Sequence, residues 1–448
     1  MNQPSIVTLH PEAAKRCDQL SQDILQSVKG FEMKRRSQQA TVDLYPAYTI
    51  LPEDILSGPK FMFEVDVLGD RVGVLWMSGN MRVGWTGATF QPIKDLVRLM
   101  ARCKSMKDLV SDEFLMDETV EWLRGTLERK RGDTLSDYVA QRCQTEIKMY
   151  EIWMPIFRTY STRQFNIGDV RFQTISKAIM DEWWCRIPPH VLAEPAAINA
   201  LKNKRSKLQG ALAASVTVRA ERIKAIQLAK VSGQNAVSLL RFLSPANLNS
   251  RLTSYSSVSE SAMLSKSFQL FMKESTIQEI QQGVDDKRQS DWDLDAAIEL
   301  RPGVLEAIAG LALDTSTEFR QNLYDALILY ARQSQATELS DKLLFTTAAL
   351  ESMLLRDSNE PIQKNLGERM AFLIGQSIDE RKRIVENVDV IYKARSAFVH
   401  HGQTPRDQEA LDYFLPNAWA TFGTLLGLVN RCETKAALIS LLEDRKMA

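Results

Sequence analysis

Apolar and polar residues alternate between residues 61 and 86, in three short runs separated by two glycine-containing turns. Alternation with a period of two, broken by such turns, predicts a three-stranded antiparallel β-meander in the N-terminal region. An earlier segment, residues 41–51, is predicted as an edge strand because Pro46 and Pro52 confine it to an edge. The apolar positions of the runs are Phe61, Phe63, Val65 and Val67, then Val72, Val74 and Trp76, then Met81, Val83 and Trp85.

The middle of the chain mixes strand and helix patterns. In residues 165–172, apolar positions face each other across Gly168-Asp169, which predicts a β-hairpin. Residues 201–230 have mostly helical apolar spacings and carry eight Lys or Arg against one Glu, which predicts a basic surface helix. We favour the interpretation that these basic residues form an ordinary solvent-exposed face of the helix. The alternative is a track for RNA phosphates, with the candidates Lys202, Lys204, Arg205 and Lys207.

After Pro302, the apolar spacing is helical to the end of the chain. A capping-box pattern opens the fourth helix of this region at Ser377, and Gly402 ends it. Short loops indicate antiparallel neighbours in an up-and-down bundle. The predicted helices cover residues 319–330, 338–356, 361–375, 377–402, 407–430 and 435–444.

These patterns together predict an α+β protein with three parts. Residues 1–150 form an N-terminal α+β domain with the meander, and residues 151–300 form a mostly helical middle region with a hairpin. Residues 301–448 form an all-α bundle.

Composition narrows the class of protein. Lys+Arg and Asp+Glu both total 56, so the formal net charge is zero and any nucleic-acid contact must use a local basic patch. The five cysteines are dispersed, which is typical of reduced thiols and not of a disulfide framework or a zinc ribbon. The N-terminal sequence lacks a signal-peptide pattern, and the longest uncharged run, residues 413–430, is short for a membrane span. We expect a cytoplasmic protein that makes no membrane contact.

Common phosphate-binding and metal-binding motifs do not occur in the sequence. Gly-x-x-x-x-Gly-Lys, Gly-x-Gly-x-x-Gly and His-Glu-x-x-His are all missing. The fourth bundle helix ends instead with Arg395 and His400, placed just before Gly402.

The segment from Tyr392 to Gly402 resembles the Tyr-x-x-Arg-Ser-x-x-x-His-x-Gly ending of Apea-like HEPN domains. Ala349-Leu350-Glu351 and Leu366-Gly367-Glu368-Arg369 also resemble that family's pattern, and order and spacing agree over about residues 318–430. His401 departs from the pattern, since it fills a place where the family commonly has Gly. More than half of the chain lies outside the resemblance.

The resemblance implies a ribonuclease that cuts RNA without a metal or other cofactor, with Arg395 and His400 as the catalytic pair. RNA carries its own nucleophile, the 2′-hydroxyl, so the protein must move protons and hold the scissile phosphate. Histidine titrates near pH 6.5 and can act as base or acid, whereas arginine stays charged and can grip two phosphate oxygens.

Five further residues are predicted to support this pair. Ser396 is expected to hydrogen-bond the phosphate or to cap the backbone, and His401 can compete with His400. Glu351 either orients Arg395 or pairs with Arg369 inside the bundle, and the structural interpretation is favoured for Glu351 and Arg369. Tyr392 can equally well support the site or be a residue of the core.

Helix geometry predicts a homodimer. Residues five apart on an ideal helix differ by about 140° in direction, so Arg395 and His400 of one helix point different ways. Two such helices across a two-fold axis can supply both groups to one cleft, and two-fold dimers are the commonest soluble oligomers. Members of the family typically form their site in this way.

Three functions remain open from the sequence. The first is an RNA endonuclease in bacterial antiphage defence (abortive infection) or toxin-like RNA cleavage, whose N-terminal region senses a phage-derived or cellular trigger or restrains the nuclease. The second is a non-catalytic protein whose HEPN-like bundle binds RNA, a nucleotide or a partner. The third is a regulatory scaffold with a vestigial Arg395–His400 pair.

Overall fold

The computed structural model describes residues 8–32, 62–78, 81–187, 195–254, 256–258, 266–273, 276–284, 292–357, 359–405 and 407–447. The chain divides into two compact units. The first comprises Met1–Tyr150 with Val218–Leu228, and the second comprises Glu151–Thr217 with Ala229–Ala448. The three-part division predicted from the sequence stays a prediction.

The α+β class is confirmed, with a small antiparallel sheet near the N-terminus and a helical C-terminal region. Within the described residues, no helix combines the length and the apolar character that crossing a bilayer requires. The helices are α1 Pro11–Gln26, α2 Gln91–Ala101, α3 Asp112–Leu127, α4 Leu135–Glu146, α5 Lys177–Cys185, α6 Pro195–Leu208, α7 Arg222–Leu240, α8 Leu294–Leu300, α9 Val304–Leu313, α10 Glu318–Gln335, α11 Leu339–Leu354, α12 Ile362–Ile374, α13 Ile378–His401, α14 Gln408–Gly427 and α15 Lys435–Met447. The strands are β1 Lys29–Glu32, β2 Met62–Val65, β3 Arg71–Ser78, β4 Met81–Thr86, β5 Lys148–Pro155, β6 Thr159–Tyr160, β7 Phe165–Ile167, β8 Val170–Thr174, β9 Leu212–Ala220, β10 Lys266–Lys273, β11 Thr276–Val284 and β12 Trp292–Asp293.

The first unit contains the predicted meander. Strands β2, β3 and β4 pair antiparallel in sequence order, and β1 completes a sheet of order β1-β4-β3-β2. The predicted edge strand over residues 41–51 lies outside the described residues. Apolar residues of β3 and β4, among them Val74 and Trp85, are buried with residues of α1 to α4 in one core. Gly84 has no room for a side chain, because a β-carbon would lie 1.9 Å from the Val74 carbonyl oxygen.

A second four-stranded sheet has the order β5-β9-β8-β7. Its β7–β8 pair is the hairpin predicted around Gly168, and the rings of Phe165 and Phe172 stack across it with centroids 5.0 Å apart. The helix predicted over residues 201–230 is wrong in its middle, because Leu212–Ala220 forms β9 between α6 and α7. A strand with neighbours on both sides buries consecutive residues, here 212–216, and such a run cannot be told from a helix by periodicity.

The C-terminal part of the second unit is a set of packed helices, α10 to α15. Their observed bounds follow the predicted ones closely, as α11 shows with Leu339–Leu354 against the predicted 338–356. Consecutive helices from α10 to α14 pack against each other, and α15 packs against α12. Fully buried side chains such as Phe319, Leu350 and Phe414 fill the space between them. Burial of one apolar stripe per helix stabilises such an arrangement.

Candidate functional site

Helix α13 carries the Arg395–His400 motif, and a side-chain cap fixes where it starts. The Ser377 hydroxyl oxygen accepts a hydrogen bond from the Glu380 N–H at 3.2 Å, as the capping-box pattern predicts. The Glu380 carboxylate reaches one residue further back than predicted and accepts the Gln376 N–H at 2.8 Å. Together these contacts hold the entry of the chain into α13.

The other end of α13 is fixed by a glycine in a left-handed conformation. Gly402 has a φ of 65°, which a residue with a β-carbon adopts only at a cost. Its N–H donates to the Phe398 carbonyl oxygen at 2.9 Å, and the Gln403 N–H donates to the Ala397 carbonyl oxygen at 3.2 Å. These bonds satisfy carbonyls of the last turn and end the helix directly after His401.

Arg395 lies beside the core-facing side of α13 and is engaged by Glu351 of α11. Its Nη2 is 3.6 Å from Glu351 Oε1, and the two side chains are 31% and 20% exposed. The Tyr392 hydroxyl donates a hydrogen bond to the same Oε1 at 2.6 Å. Of the two partners predicted for Glu351, Arg395 is therefore the one that lies beside it, and the favoured pairing of Glu351 with Arg369 is wrong.

Tyr392 and Arg395 hold Glu351 from two sides. Burial, reinforced by the neighbouring Glu351 carboxylate, raises the pKa of the Tyr392 hydroxyl above its ordinary value, so the hydroxyl stays a donor at neutral pH. Arg395 Nε is buried and has no hydrogen-bond partner in the part of the chain that the structure describes. The guanidinium thus meets one carboxylate at salt-bridge distance, and its unpartnered Nε is buried.

His400 stands on the solvent side of the same helix. His400, His401 and Ser396 are all exposed, and the centroids of the two imidazole rings are 6.4 Å apart. The regular helix keeps Arg395 and His400 on different sides, about 140° apart. One chain alone therefore does not bring the predicted pair onto one face of α13.

Arg369 is part of a buried ion cluster of its own. Its guanidinium donates to Glu360 at 2.6 and 3.0 Å, to Glu443 at 3.3 Å and to the Leu354 carbonyl oxygen at 2.6 Å. The side chain is 6% exposed. These contacts tie α12 to the turn after α11 and to α15, which is a structural role.

The four predicted RNA-binding residues all lie in α6, before β9. Lys202 is exposed. Arg205 forms an ion pair with Asp181 of α5 and lies over the Trp184 ring, 5.6 Å from its centroid. Lys204 and Lys207 belong to the same helix, but their side chains lie outside the described residues. The Asp181 contact offsets one of the positive charges predicted for phosphate binding.

The end of α13 projects past two of its neighbouring helices. The Asn387 side chain donates to the Ala410 carbonyl oxygen near the start of α14, and Gln363 near the start of α12 donates to Asp389. Both neighbouring helices therefore begin beside residues 387–389, and the rest of α13 extends about 18 Å beyond them. Val399 is 51% exposed there, although it lies three helical turns after the buried Val388 on the same face.

Lys393 is a surface residue near the motif that the sequence interpretation missed. It is exposed, and it precedes Ser396 by three residues and His400 by seven. Residues at such spacings share one face of a helix. The signal was present in the sequence as a periodicity of charged and polar residues, whereas the family pattern leaves that position undefined.

No group of three or more His, Cys, Asp or Glu side chains in the described ranges is arranged to hold a metal ion. No family model, curated protein or solved structure matches this chain. Function therefore has to be inferred from the residues and their geometry.

Proposed function

We propose that this chain is a metal-independent RNA endonuclease of HEPN type, in which Arg395 and His400 act on one phosphodiester. The observation that carries the proposal is the arrangement at the end of α13. Arg395 lies beside Glu351, and His400 is exposed on a helix end that extends beyond the starts of α12 and α14. The resemblance of residues 392–402 to the ending of Apea-like HEPN domains supplies the class of reaction.

The reaction follows from the two side chains and the substrate. A neutral His400 imidazole takes the proton from the RNA 2′-hydroxyl, and the oxygen attacks the neighbouring phosphorus. The bond from phosphorus to the 5′-oxygen breaks, and that oxygen takes the proton from the His400 imidazolium formed in the first step. The products are a 2′,3′-cyclic phosphate and a free 5′-hydroxyl. Arg395 stabilises the negative charge that develops on the phosphate oxygens.

A homodimer through the C-terminal helices completes the proposed site. Since Arg395 and His400 of one α13 lie on different sides, a two-fold axis beside the projecting helix end would place Arg395 of one chain near His400 of the other. The exposed Val399 supplies apolar surface for such a contact. Ser396 and His401 are then available to the same phosphate.

The biological setting that we propose rests on the resemblance. A cytoplasmic ribonuclease of this kind would serve bacterial antiphage defence or toxin-like RNA cleavage. The N-terminal region would sense a phage-derived or cellular trigger and restrain the nuclease in its absence.

A second candidate function is RNA or partner binding without catalysis. The observation that favours it is the separation of Arg395 from His400 within one chain, together with the pairing of Arg395 to Glu351. A guanidinium that already has a carboxylate partner can be structural. In that case the exposed end of α13 is a contact surface and the Arg395–His400 spacing has no catalytic meaning.

Incubation with labelled tRNA and single-stranded RNA tests the proposed function. The purified full-length protein is compared with Arg395→Ala and His400→Ala, with and without EDTA. We expect cleavage that resists EDTA, is lost in both variants, and leaves 2′,3′-cyclic phosphate ends. A matched strand with a 2′-deoxyribose at the cleaved position should stay intact, because it lacks the nucleophile.

The outcomes separate the two candidates. Cleavage that persists in His400→Ala, or that cuts the deoxyribose strand, would falsify the assignment of His400 as the proton-transferring group. Binding of RNA without any cutting, under conditions in which the variants remain folded, supports the non-catalytic alternative.

A further inference from the structure

The solvent face of α13 carries a polar stripe that ends at His400. Lys393, Ser396 and His400 are all exposed and follow one another at intervals of three and four residues. Side chains at these intervals are neighbours on a helix surface. Lys393 and His400 are two turns apart along the axis, about 10 Å, and differ in direction by only about 20°.

The charge around this stripe is positive over a continuous length of chain. Residues 390–405 contain Lys393, Arg395 and two histidines and no Asp or Glu, and Asp389 and Asp407 lie just outside this segment. The acidic residue just before the segment, Asp389, accepts a hydrogen bond from Gln363 at 2.7 Å. An anion that approaches the end of α13 therefore meets cationic and neutral side chains along the stripe.

Lys393 is the cation on the His400 side of the helix. Arg395 lies on the other side and is engaged by Glu351. The lysine matters because the negative end of the helix dipole lies at the end of α13 and by itself repels an anion. Lys393, with hydrogen-bond donors on Ser396 and His400, offsets that repulsion. The N–H groups of Gly402 and Gln403 also satisfy carbonyls of the last turn.

We propose that Lys393, Ser396 and His400 form a binding stripe for the RNA backbone, in which Lys393 binds the phosphate next to the one that His400 acts on. The ammonium group provides a point charge on a flexible stem, so it can bind a backbone phosphate whatever the base sequence of the RNA. The Ser396 hydroxyl, which lies between Lys393 and His400 on the stripe, donates to an oxygen of the phosphate that His400 acts on. The position of the cut relative to Lys393 rests on the proposed nuclease function. Binding of the RNA backbone to the stripe does not depend on that function.

Binding of an uncleavable strand isolates this contact from catalysis. A fluorescent single-stranded RNA with 2′-O-methyl groups throughout lacks the nucleophile, and its affinity for the full-length protein is measured by anisotropy at several salt concentrations. Lys393→Ala is compared with Lys382→Ala, an exposed lysine three turns earlier on the same face of α13. Circular dichroism checks that both variants keep the helical content of the parent.

The expected result is specific to Lys393. Lys393→Ala should weaken binding several-fold and reduce the slope of log K against log salt by about 0.7, the effect of one phosphate contact on a single strand. Lys393→Arg should retain both the affinity and the slope, and Lys382→Ala should change neither. Equal behaviour of Lys393→Ala and Lys382→Ala, or no measurable binding by the parent protein, would overturn the proposal.

Cleavage assays with the ribose form of the strand separate this inference from the proposed function. If the strand is cut, Lys393→Ala should raise KM and leave kcat nearly unchanged, because the lysine binds a phosphate that does not react. If the protein cuts RNA and Lys393→Ala leaves KM unchanged, the proposed binding stripe is wrong and the proposed nuclease function stands. If RNA binding depends on Lys393 but the protein never cuts, the binding stripe is supported and the nuclease function is wrong.

Discussion

Arg369 shows how one side chain can match a family pattern and still serve the fold. The sequence places it in Leu366-Gly367-Glu368-Arg369, beside a possible partner in Glu351. In the structure it is buried and paired with Glu360 and Glu443. Glu443 is 74 residues further along the chain, so no local pattern could identify it.

Removal of Arg369 should strongly destabilise the second unit. Arg369→Met leaves the Glu360 carboxylate buried without its guanidinium, and breaking such a buried pair typically costs about 3–5 kcal/mol. Lys446→Met is the matched control, because it removes a more exposed ion pair with Glu368 on the same helices and should cost less than about 1 kcal/mol. Urea denaturation measures both changes, and equal losses would contradict the structural role of Arg369.

The Glu360 carboxylate should make stability depend on pH in one direction. Burial raises the pKa of Glu360, but hydrogen bonds from Arg369 and from the Arg356 N–H outweigh it, so the folded pKa lies below the ordinary value. Its contribution is fully present above the unfolded pKa, about 4.3, and is lost as the pH falls through the folded value. The stability difference between the parent and Glu360→Gln should therefore shrink on acidification below that point. A difference that stays constant from pH 7 to pH 3 would contradict this reading of the pair.

The two ends of α13 offer a comparison at the scale of the helix. Ser377→Ala removes an N-terminal cap, and Gly402→Ala forces a β-carbon into the left-handed region, so each should cost about 1 kcal/mol in urea denaturation. Gly402→Ala should also loosen the turn that carries His400 and so reduce the proposed RNA cleavage. Ser377→Ala, at the far end of the helix, should leave cleavage unchanged. Equal activity in the two variants would show that the C-terminal turn does not position His400.

Helices of the C-terminal region could be predicted from sequence because their signals are local. Apolar periodicity, the Ser377 cap and the glycine at 402 all act within a few residues, and the observed bounds agree. Strand β9 could not be predicted, because its partners β5 and β8 come from 38 or more residues earlier in the chain. Its burial on both sides gives an apolar run that looks helical in isolation.

At the scale of the whole chain, the sequence indicated the α+β class but not which segments share a core. Residues Val218–Leu228 belong to the same unit as Met1–Tyr150, although the chain passes through Glu151–Thr217 before it returns. Membership of a unit depends on long-range packing such as the hydrogen bond between Ser111 and the buried Glu221. Neither residue has a local pattern that indicates the contact.

The candidate site, too, could be predicted from the sequence only in part. The residues Arg395 and His400 were found through the resemblance of residues 392–402 to a family pattern, and their different directions followed from the geometry of a regular helix. The role of Glu351 as the neighbour of both Tyr392 and Arg395 required the packing of α11 against α13. The projection of the end of α13 past α12 and α14 also became visible only in the structure.

A mixing experiment tests whether two chains share the proposed site. If each site takes Arg395 from one chain and His400 from the other, a mixed dimer of Arg395→Ala and His400→Ala contains one site with both groups intact and one site with neither. Equal mixing makes about half of the dimers mixed, so about a quarter of the parent activity should return although each variant alone is inactive. Sedimentation velocity must show the parent and both variants as dimers that exchange subunits.

Val399→Asp, which puts a charge on the exposed apolar position of the projecting helix, should shift the protein to monomers and abolish cleavage without unfolding it. A monomeric parent that cuts RNA, or dimers that exchange without recovery of activity, would show instead that the catalytic groups do not come from two chains.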